Sequence, residues 1–353
     1  MTSLNQIIIG ATLGDAITEE ALMLRRWLRE SGFASEIFAQ YLHPDLENEV
    51  RSMTTWRRQA NEEWLIYHHS IGSPIVDQLI ASPLKLILIY HNVTPPEFFE
   101  TIHPALSREM IAGRQQLLAL RARTALALAD SPFNEQDLIA AQFRATGVLP
   151  IALDESQVNL PSNPDLLALY DRQEPFLLFV GRHVPNKKQE DVIKLLYFYR
   201  RIEPCARLFL VGDAWVPAYT HWLRDFAIDL DLEDAVLFVG SASQQDLVTY
   251  YRLANVYVSM SEHEGFGKPL IESMYLGLPV LAYAAAAVPG TLGDAGVQFC
   301  CKDYEALAEV VDVLVCDDQL RQSIITRQRA RVKEFLAPQV RGMWQNFLSA
   351  AMK

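Results

Sequence analysis

Short apolar runs alternate with amphipathic stretches along the whole chain. In the first half, the apolar runs predict strands at residues 6–10, 36–39, 63–69 and 84–91. Residues 18–30 carry apolar side chains at helical spacing. Residues 110–129 also predict a helix, although residues 124–131 could instead hold a short strand. Strands that alternate with helices favour a parallel sheet covered by helices.

The second half repeats this alternation after a segment of different composition. Residues 150–175 are polar and contain four prolines, so we interpret them as a linker with one short helix. The apolar runs that follow predict strands at residues 176–181, 207–212, 236–240, 256–259 and 279–282. A last helix is predicted at 338–352. Two doubly wound sheets imply a cleft, with ligands at the carboxyl ends of the strands.

Composition excludes several functions for this chain of 353 residues. There are 43 acidic residues against 31 Lys and Arg, for a net charge of -12, so we exclude nucleic acid as a partner. No apolar run approaches the roughly 20 residues that span a bilayer. The first residues lack the basic and apolar regions of a signal peptide. The four cysteines lack metal-ligand spacing and are expected to be free thiols, which favours a cytoplasmic protein.

The segment 261–274, S-E-H-E-G-F-G-K-P-L-I-E-S-M, carries the most chemistry. Gly265 and Gly267 loosen the backbone before a predicted helix, and the free N–H groups at the start of a helix attract anions. Glu264 and Glu272 lie on either side of that start. A carboxylate accepts two hydrogen bonds and therefore suits a sugar diol. The alternative is that both are solvated acids at a helix start.

The segment resembles the E-x7-E signature of the retaining glycosyltransferases of family 4. Upstream, Arg182 and Lys188 stand at the matching positions of a V-G-R-x5-K segment. Downstream, residues 277–282 and 293–296 are similar to the G-x-P-V-x-A and G-D-A-G segments of the family. The matches occur in order between about residues 176 and 300.

The resemblance implies the GT-B fold, an α/β architecture with two Rossmann-like doubly wound parallel-sheet domains facing a central cleft. Residues 1–165, including the start of the linker, would form the acceptor-side domain. Residues 166–335 would bind the nucleotide sugar. Residues 336–353 would form a helix that crosses back to the first domain.

The resemblance also implies roles for the charged side chains. Arg182 and Lys188 should bind the donor diphosphate, because fixed cations stabilise the negative charge that the leaving group gains. Lys187 is expected to be solvated. Glu272 should bind the ribose hydroxyls, and Glu264 should bind the hexose hydroxyls.

Backbone groups would complete this donor site. Gly265 and the N–H groups of Phe266 and Gly267 should lie against the hexose. Gly240 and Ser241 follow a predicted strand and should lie at the edge of the base.

The first half offers two further candidates by the same resemblance. Gly14 precedes the first helix, where the family has a glycine loop near the donor phosphates. His91 ends a strand, where these enzymes often place a histidine that faces the donor sugar. A histidine that ends a strand is also often structural, and we expect that role for His68 and His69.

One segment departs from the family pattern. The family usually has G-G-x-P-E, whereas residues 286–290 read A-A-V-P-G. Both glycines and the acid are missing, which could alter donor or acceptor choice or weaken the enzyme.

We therefore expect retaining transfer of a hexose-type sugar from a nucleoside-diphosphate sugar to a hydroxyl of a glycan, a lipid-linked molecule or a small molecule. No cofactor and no metal are expected, because the D-x-D at Asp229–Asp231 reads as a solvated turn. The alternatives are another GT-B sugar-nucleotide enzyme, such as an epimerase, and a non-catalytic nucleotide-sugar-binding subunit. A basic patch that would attach the chain peripherally to a membrane is a further alternative, with its candidate residues at Arg57, Arg58, Arg114, Arg121 and Arg123.

Overall fold

The computed structural model describes residues 2–58, 62–170 and 174–352. The chain divides into two compact units. The first is Met1–Ala152 together with Pro338–Lys353, and the second is Leu153–Ala337. Residues 171–173 of the predicted linker lie outside the described residues.

The first unit is built on a sheet of seven parallel strands. These are β1 (Leu4–Ala11), β2 (Ile37–Leu42), β3 (Arg51–Ser52), β4 (Trp64–His69), β5 (Lys85–Tyr90), β6 (Thr124–Ala129) and β7 (Thr146–Val148). Their order in the sheet is β3-β2-β1-β4-β5-β6-β7. Every residue of β4 is buried, and Lys85 is the one exposed residue of β5. Helices on both faces explain why these central strands read as nearly continuous apolar runs.

In the described part of this unit, four α-helices connect the strands. They are α1 (Ala16–Glu30), α2 (Ile75–Ala81), α3 (Pro104–Leu120) and α4 (Pro132–Ala140). The predicted helix at 110–129 is wrong in its second part, because α3 ends at Leu120, and the alternative of a short strand within 124–131 is confirmed by β6. The sequence T-A-L-A-L-A of β6 favours a helix locally, but pairing between β5 and β7 places it in the sheet.

The second unit is built on six parallel strands. These are β8 (Phe176–Val180), β9 (Arg207–Val211), β10 (Val236–Gly240), β11 (Val256–Ser259), β12 (Val280–Tyr283) and β13 (Val297–Phe299). Their order is β10-β9-β8-β11-β12-β13. Phe176 and Phe209 stack on neighbouring strands with ring centroids 4.5 Å apart. The five predicted strands of this half are confirmed, and β13 was not predicted.

The helices of the second unit begin before its first strand. They are α5 (Glu155–Val158), α6 (Pro164–Leu169), α7 (Gln189–Tyr199), α8 (Pro217–Asp229), α9 (Gln244–Leu253), α10 (Lys268–Leu276), α11 (Val288–Leu292), α12 (Tyr304–Cys316) and α13 (Asp318–Val332).

The unit boundary lies at 152/153, whereas the sequence suggested 165/166. The segment between these positions is tied to α9. The Asn163 side chain donates to Asp246 at 2.7 Å, and Arg252 donates to the carbonyl oxygen of Leu160 at 2.7 Å.

The last helix, α14 (Ala337–Ala351), lies almost wholly in the first unit. Its buried face consists of Val340, Trp344 and Leu348 at a spacing of four residues. Arg341 pairs with Glu30 of α1 at 2.6 Å. None of the helices in the described part of the chain is long and apolar enough to cross a membrane.

Candidate active site

The strand order of the second sheet reverses between β8 and β11, which pair with each other. In open parallel sheets, ligands bind beyond the carboxyl ends of the strands at such a switch point. The loops that leave β8 and β11 contain 181–188 and 260–267. The two predicted donor segments therefore start at this point of the fold.

These two loops are joined by hydrogen bonds. The backbone N–H of Glu262 donates to the carbonyl oxygen of Asn186 at 2.9 Å. The Asn186 side chain donates to the carbonyl oxygen of His263 at 3.0 Å. The turn that carries the lysines is thereby fixed against the loop that carries Glu264.

The start of α10 has the features of an anion site. Gly267 is the N-cap residue, with φ of 89°, and provides no side-chain cap. A left-handed backbone of this kind favours glycine. Pro269 lies in the first turn and has no N–H group to satisfy. The N–H groups of this turn, with the helix dipole behind them, suit a negatively charged ligand.

Glu264 forms an ion pair with Lys187. Lys187 precedes the lysine that matches the family motif, and we expected it to be solvated. That expectation is wrong, since its side chain is 23% exposed and contacts a carboxylate that is 13% exposed. Lys187 thus contacts one of the two carboxylates predicted to bind the donor, a contact that sequence reasoning missed.

Glu272 lies on the second turn of α10 and is 3% exposed. One carboxylate oxygen accepts the Tyr251 hydroxyl at 2.7 Å, and the other lies 3.3 Å from the ammonium group of Lys268. Tyr257 of β11 lies near both acids. Burial, and then the charges of Glu264 and Glu272, hold the pKa of Tyr257 well above its usual range.

Lys188 is the N-cap of α7 and has φ of 53°, a left-handed conformation that is uncommon outside glycine. Its ammonium group lies 3.6 Å from Glu190 and 3.6 Å from Glu262. Glu262 also pairs with Lys302 at 2.8 Å. Glu190 and Glu262 therefore lie beside the ammonium group of Lys188, Lys302 contacts the other carboxylate oxygen of Glu262, and none of these three residues was singled out from the sequence.

Arg182 follows β8, and its guanidinium lies 4.9 Å from the ring centroid of Trp215. Gly240 ends β10 with φ of 76°, and a Cβ there would meet open space. The Ser241 hydroxyl donates to Asp213. Arg182, Gly240 and Ser241 thus lie on neighbouring loops at the carboxyl edge of β8, β9 and β10.

The segment that departs from the family pattern contacts the loop of Glu264. Ala286 has φ of 50°, a region in which glycine is favoured. The N–H of Ala287 donates to the carbonyl oxygen of Glu264 at 3.2 Å, and the Thr291 hydroxyl donates to the carbonyl oxygen of Phe266 at 2.6 Å. The backbone contacts of this segment form although both glycines are replaced by alanine.

In the first unit, His91 follows β5 and its side chain is 3% exposed. Its Nδ1 contacts Asp130 at 2.9 Å, and its Nε2 contacts Nδ1 of His68 at 2.9 Å. His69 contacts the carbonyl oxygen of Gly113 at 2.9 Å. Gly14 lies in the turn before α1 with φ of 70°, and a Cβ there would meet open space.

The described residues contain one group of three side chains with metal-ligating atoms within 4.8 Å of one another, namely Glu20, His68 and His91. The ring contact between His68 and His91 uses one nitrogen of each. Elsewhere, Asp229 ends α8, and Asp231 follows in a left-handed turn with φ of 55°. Both acids of this D-x-D are exposed, as the sequence suggested.

This architecture matches solved structures over nearly its whole length. The crystal structure of Anabaena HepE in complex with UDP and glucose superposes with a TM-score of 0.78 and 18% identity, covering 99% of this chain and 100% of that one. The protein has the GT-B fold. The fold inferred from sequence is therefore confirmed.

Sequence comparison of this GT-B protein adds a family-model match and several relatives. Residues 169–331 match the family model described as glycosyl transferases group 1. The O-antigen chain mannosyltransferase B of Escherichia coli is 25% identical over 220 residues, covering 60% of this chain and 56% of the relative. The N-acetyl-alpha-D-glucosaminyl L-malate synthase of Bacillus anthracis is 27% identical over 271 residues, covering 75% and 68%. The chain thus spans about half to two thirds of the length of these relatives.

Proposed function

We propose that the GT-B protein is a retaining glycosyltransferase of the family 4 type that needs no metal ion. It would move a hexose-type sugar from a nucleoside-diphosphate sugar to an acceptor hydroxyl. The observation that carries this proposal is the pair of acids around the start of α10, with Glu264 before the helix and Glu272 on its second turn. The HepE structure, which holds UDP and glucose, supports the assignment of the donor.

In this mechanism the chain binds the donor diphosphate at the start of α10. Arg182 and Lys188 supply cations for the charge that develops on the leaving group, which is the task otherwise given to a metal ion. Lys188 is suited to this because Glu262 and Glu190 restrain its ammonium group without burying it. The departing diphosphate would then help to remove the proton of the acceptor hydroxyl. That hydroxyl attacks the anomeric carbon from the same face of the sugar that the diphosphate leaves, so the anomeric configuration is retained.

The two acids would hold the two ends of the donor. Glu272 is buried and already accepts a hydrogen bond from Tyr251, so it presents a fixed oxygen to the ribose hydroxyls. Glu264 would accept hydrogen bonds from the hexose, with the N–H groups of Phe266 and Gly267 beside it. Lys187 would set the orientation of Glu264 through their ion pair.

Nucleotide binding and turnover test the proposal. Melting temperature is measured with UDP, GDP, ADP and dTDP in the presence of a chelator. A ligand at about 100 times its dissociation constant adds roughly 2.7 kcal/mol of stability. One diphosphate should stand out, and the matching sugar nucleotide should be consumed with a product of unchanged anomeric configuration. Binding without consumption would favour a non-catalytic subunit, and no shift with any diphosphate would contradict the donor site.

A pair of arginine variants provides the control. Arg182→Ala should lose most of the thermal shift by the diphosphate. Arg201→Ala should keep the thermal shift. The guanidinium of Arg201 lies 4.9 Å from the ring centroid of Tyr197, the same distance that separates the Arg182 guanidinium from the Trp215 ring. The comparison therefore separates loss of a phosphate contact from loss of a cation–aromatic contact. Equal loss in both variants would point to general destabilisation.

A further inference from the structure

Two acids of the second unit lie beside the ammonium group of Lys188 without contacting it closely. Its nitrogen is 3.6 Å from Glu262 and 3.6 Å from Glu190. Both distances exceed the usual N–H···O hydrogen-bond length of about 2.7–3.2 Å. Lys188 is therefore held loosely between two carboxylates.

Lys302, on the loop after β13, is the closer partner of Glu262. Its ammonium group is 2.8 Å from one carboxylate oxygen of Glu262, and Lys188 lies near the other oxygen. The same ammonium group is 2.8 Å from Asp191. Burial lowers the pKa of Lys302, but its hydrogen bonds to Asp191 and Glu262 outweigh that effect and raise the pKa above its usual range. Lys302 is thus a cation that bridges two acids.

Asp191 fixes the other side of this bridge. It lies in the first turn of α7 and is 6% exposed. Besides Lys302, it accepts hydrogen bonds from Lys194 and Tyr304, each at 2.8 Å. Because three donors meet at one buried carboxylate, the position of Lys302 next to Glu262 is well determined.

Tyr219 of α8 has the same relation to Glu190. Its hydroxyl donates to one carboxylate oxygen of Glu190, and Lys188 lies near the other oxygen. A hydrogen bond to one oxygen takes up part of the capacity of a carboxylate to accept further donors. Each acid beside Lys188 is therefore already engaged by a donor from a different element of the fold.

This arrangement matters because a carboxylate and a diphosphate compete for the same ammonium group. If Lys302 were absent, Glu262 would carry an uncompensated negative charge and would pair closely with Lys188. A bound phosphate would then have to break that pair, and it would also meet one more negative charge at this turn.

We propose that Lys302 is a positioning residue for donor binding, which neutralises Glu262 and so keeps the ammonium group of Lys188 accessible to the donor diphosphate. The proposal rests on the proposed function, in which Lys188 binds that diphosphate. Lys302 acts through Glu262 and does not contact the donor itself. All of these residues belong to one compact unit.

Calorimetric titration of the full chain with UDP, GDP, ADP and dTDP tests the proposal. Methionine keeps an unbranched side chain at position 302 but carries no charge. For the diphosphate that binds the parent most tightly, Lys302→Met should raise the dissociation constant by about tenfold, the scale of one charge-assisted hydrogen bond. Lys302→Arg should recover most of this loss, because a guanidinium also pairs with carboxylates. An unchanged dissociation constant in Lys302→Met would overturn the proposal.

Two further variants show whether the effect passes through Glu262. In the Glu262→Gln background the acid can no longer capture Lys188, so the added Lys302→Met should change the dissociation constant by less than about twofold. Lys194→Met is the matched control, because Lys194 pairs with the same Asp191 at the same 2.8 Å distance as Lys302. It should bind like the parent. Equal weakening by Lys302→Met in both backgrounds, or by Lys194→Met, would overturn the role of Lys302.

Acetylation by acetic anhydride, read by mass spectrometry without any nucleotide, tests the contact separately from the donor. Lys302→Met should slow the acetylation of Lys188 severalfold relative to the exposed Lys333, because an ammonium group in a close ion pair releases its proton less readily. Adding Glu262→Gln should restore the rate. An unchanged rate in Lys302→Met would contradict the proposal. If Lys188→Ala bound all four diphosphates like the parent, the proposed function would fail in its assignment of Lys188, whereas the acetylation rates would still report the contact with Glu262.

Discussion

Lys187 forms an ion pair with Glu264, although 77 positions separate them in the chain. The pair joins the turn after β8 to the loop after β11, on either side of the switch point of the second sheet. In the proposed reaction, Glu264 holds the sugar, so Lys187 acts on that sugar through the carboxylate. Adjacent lysines therefore have different tasks, with Lys188 toward the diphosphate and Lys187 toward Glu264.

The first prediction concerns Lys187. Lys187→Ala should lower kcat/KM by about tenfold or more, because a charge-assisted hydrogen bond contributes roughly 1.5–3 kcal/mol and its loss leaves Glu264 unpaired. Steady-state kinetics with donor varied provide the measurement. Lys333→Ala, which changes an exposed lysine of the same unit, is the control and should be neutral. Parent-like kinetics of Lys187→Ala would show that the ion pair has no part in transfer.

The second prediction concerns the cations toward the diphosphate. Arg182→Ala and Lys188→Ala should each lower kcat by about two orders of magnitude, as loss of one transition-state charge contact does. The effect should exceed that of Lys187→Ala. A larger loss for Lys187→Ala than for Lys188→Ala would reverse the roles assigned to the two lysines.

The third prediction separates the two glutamates. Ribose hydroxyls do not change as the glycosidic bond breaks, so Glu272→Gln should mainly raise the donor KM. The hexose gains positive charge, so Glu264→Gln should mainly lower kcat. The two variants carry the same substitution, and circular dichroism checks that both fold. The opposite pattern would be a lowered kcat in Glu272→Gln and a raised donor KM in Glu264→Gln. That result would exchange the sugars assigned to the two glutamates.

The fourth prediction concerns the backbone at Ala286. An L residue in a left-handed conformation costs roughly 1–2 kcal/mol, which exceeds the entropy that glycine gains in the unfolded chain. Ala286→Gly should therefore raise the free energy of unfolding slightly, by about 0.5 kcal/mol. The neighbouring Ala285, whose φ is negative, is the matched control, and Ala285→Gly should be destabilising. Urea denaturation measures both, and destabilisation of equal size in the two variants would contradict the backbone assignment.

The fifth prediction concerns pH and Glu20. Burial, and then the charge of Asp130, raise the pKa of Glu20 from 4.5 to about 8. Between these values the folded chain keeps a proton that the unfolded chain releases, so the contribution of Glu20 to stability is full below pH 4.5 and falls as pH rises toward 8. Glu20→Gln is neutral throughout and escapes this loss.

Melting curves across this pH range measure the effect. The melting temperature of Glu20→Gln minus that of the parent should grow from near zero at acid pH to its largest value above the raised pKa. The exposed Glu47→Gln is the control. A difference for Glu20→Gln that stays constant with pH would show that Glu20 is ionised in the folded chain.

Much of the fold was predictable from the sequence, because a strand that is buried on both faces consists of an unbroken run of apolar residues. The strands that escaped prediction, such as Thr146–Val148 and Val297–Phe299, have three residues each, too few to show a period. The sequence of β6 favoured a helix locally, and only its place between two strands decided otherwise.

The two segments predicted to bind the donor could be singled out because the residues of each lie close together in sequence. The side chains that complete the site come from far along the chain. Tyr251 reaches Glu272 from another helix, and Lys302 reaches Glu262 from a loop after β13. Which of the two lysines, Lys187 or Lys188, contacts Glu264 depends on the left-handed backbone conformation of Lys188. Residue types alone do not reveal that conformation. Lys268 was the exception, since its spacing of four residues from Glu272 on one helix could have been noticed.

The last helix of the chain has a consequence for the order in which the protein forms during synthesis. The second unit is one continuous segment and is complete once Ala337 has been made. The first unit begins earlier but lacks the apolar face of Val340, Trp344 and Leu348 until residues 338–351 emerge. The unit that starts earlier on the ribosome is therefore completed after the other, and its sheet remains without this cover while the whole second unit is translated.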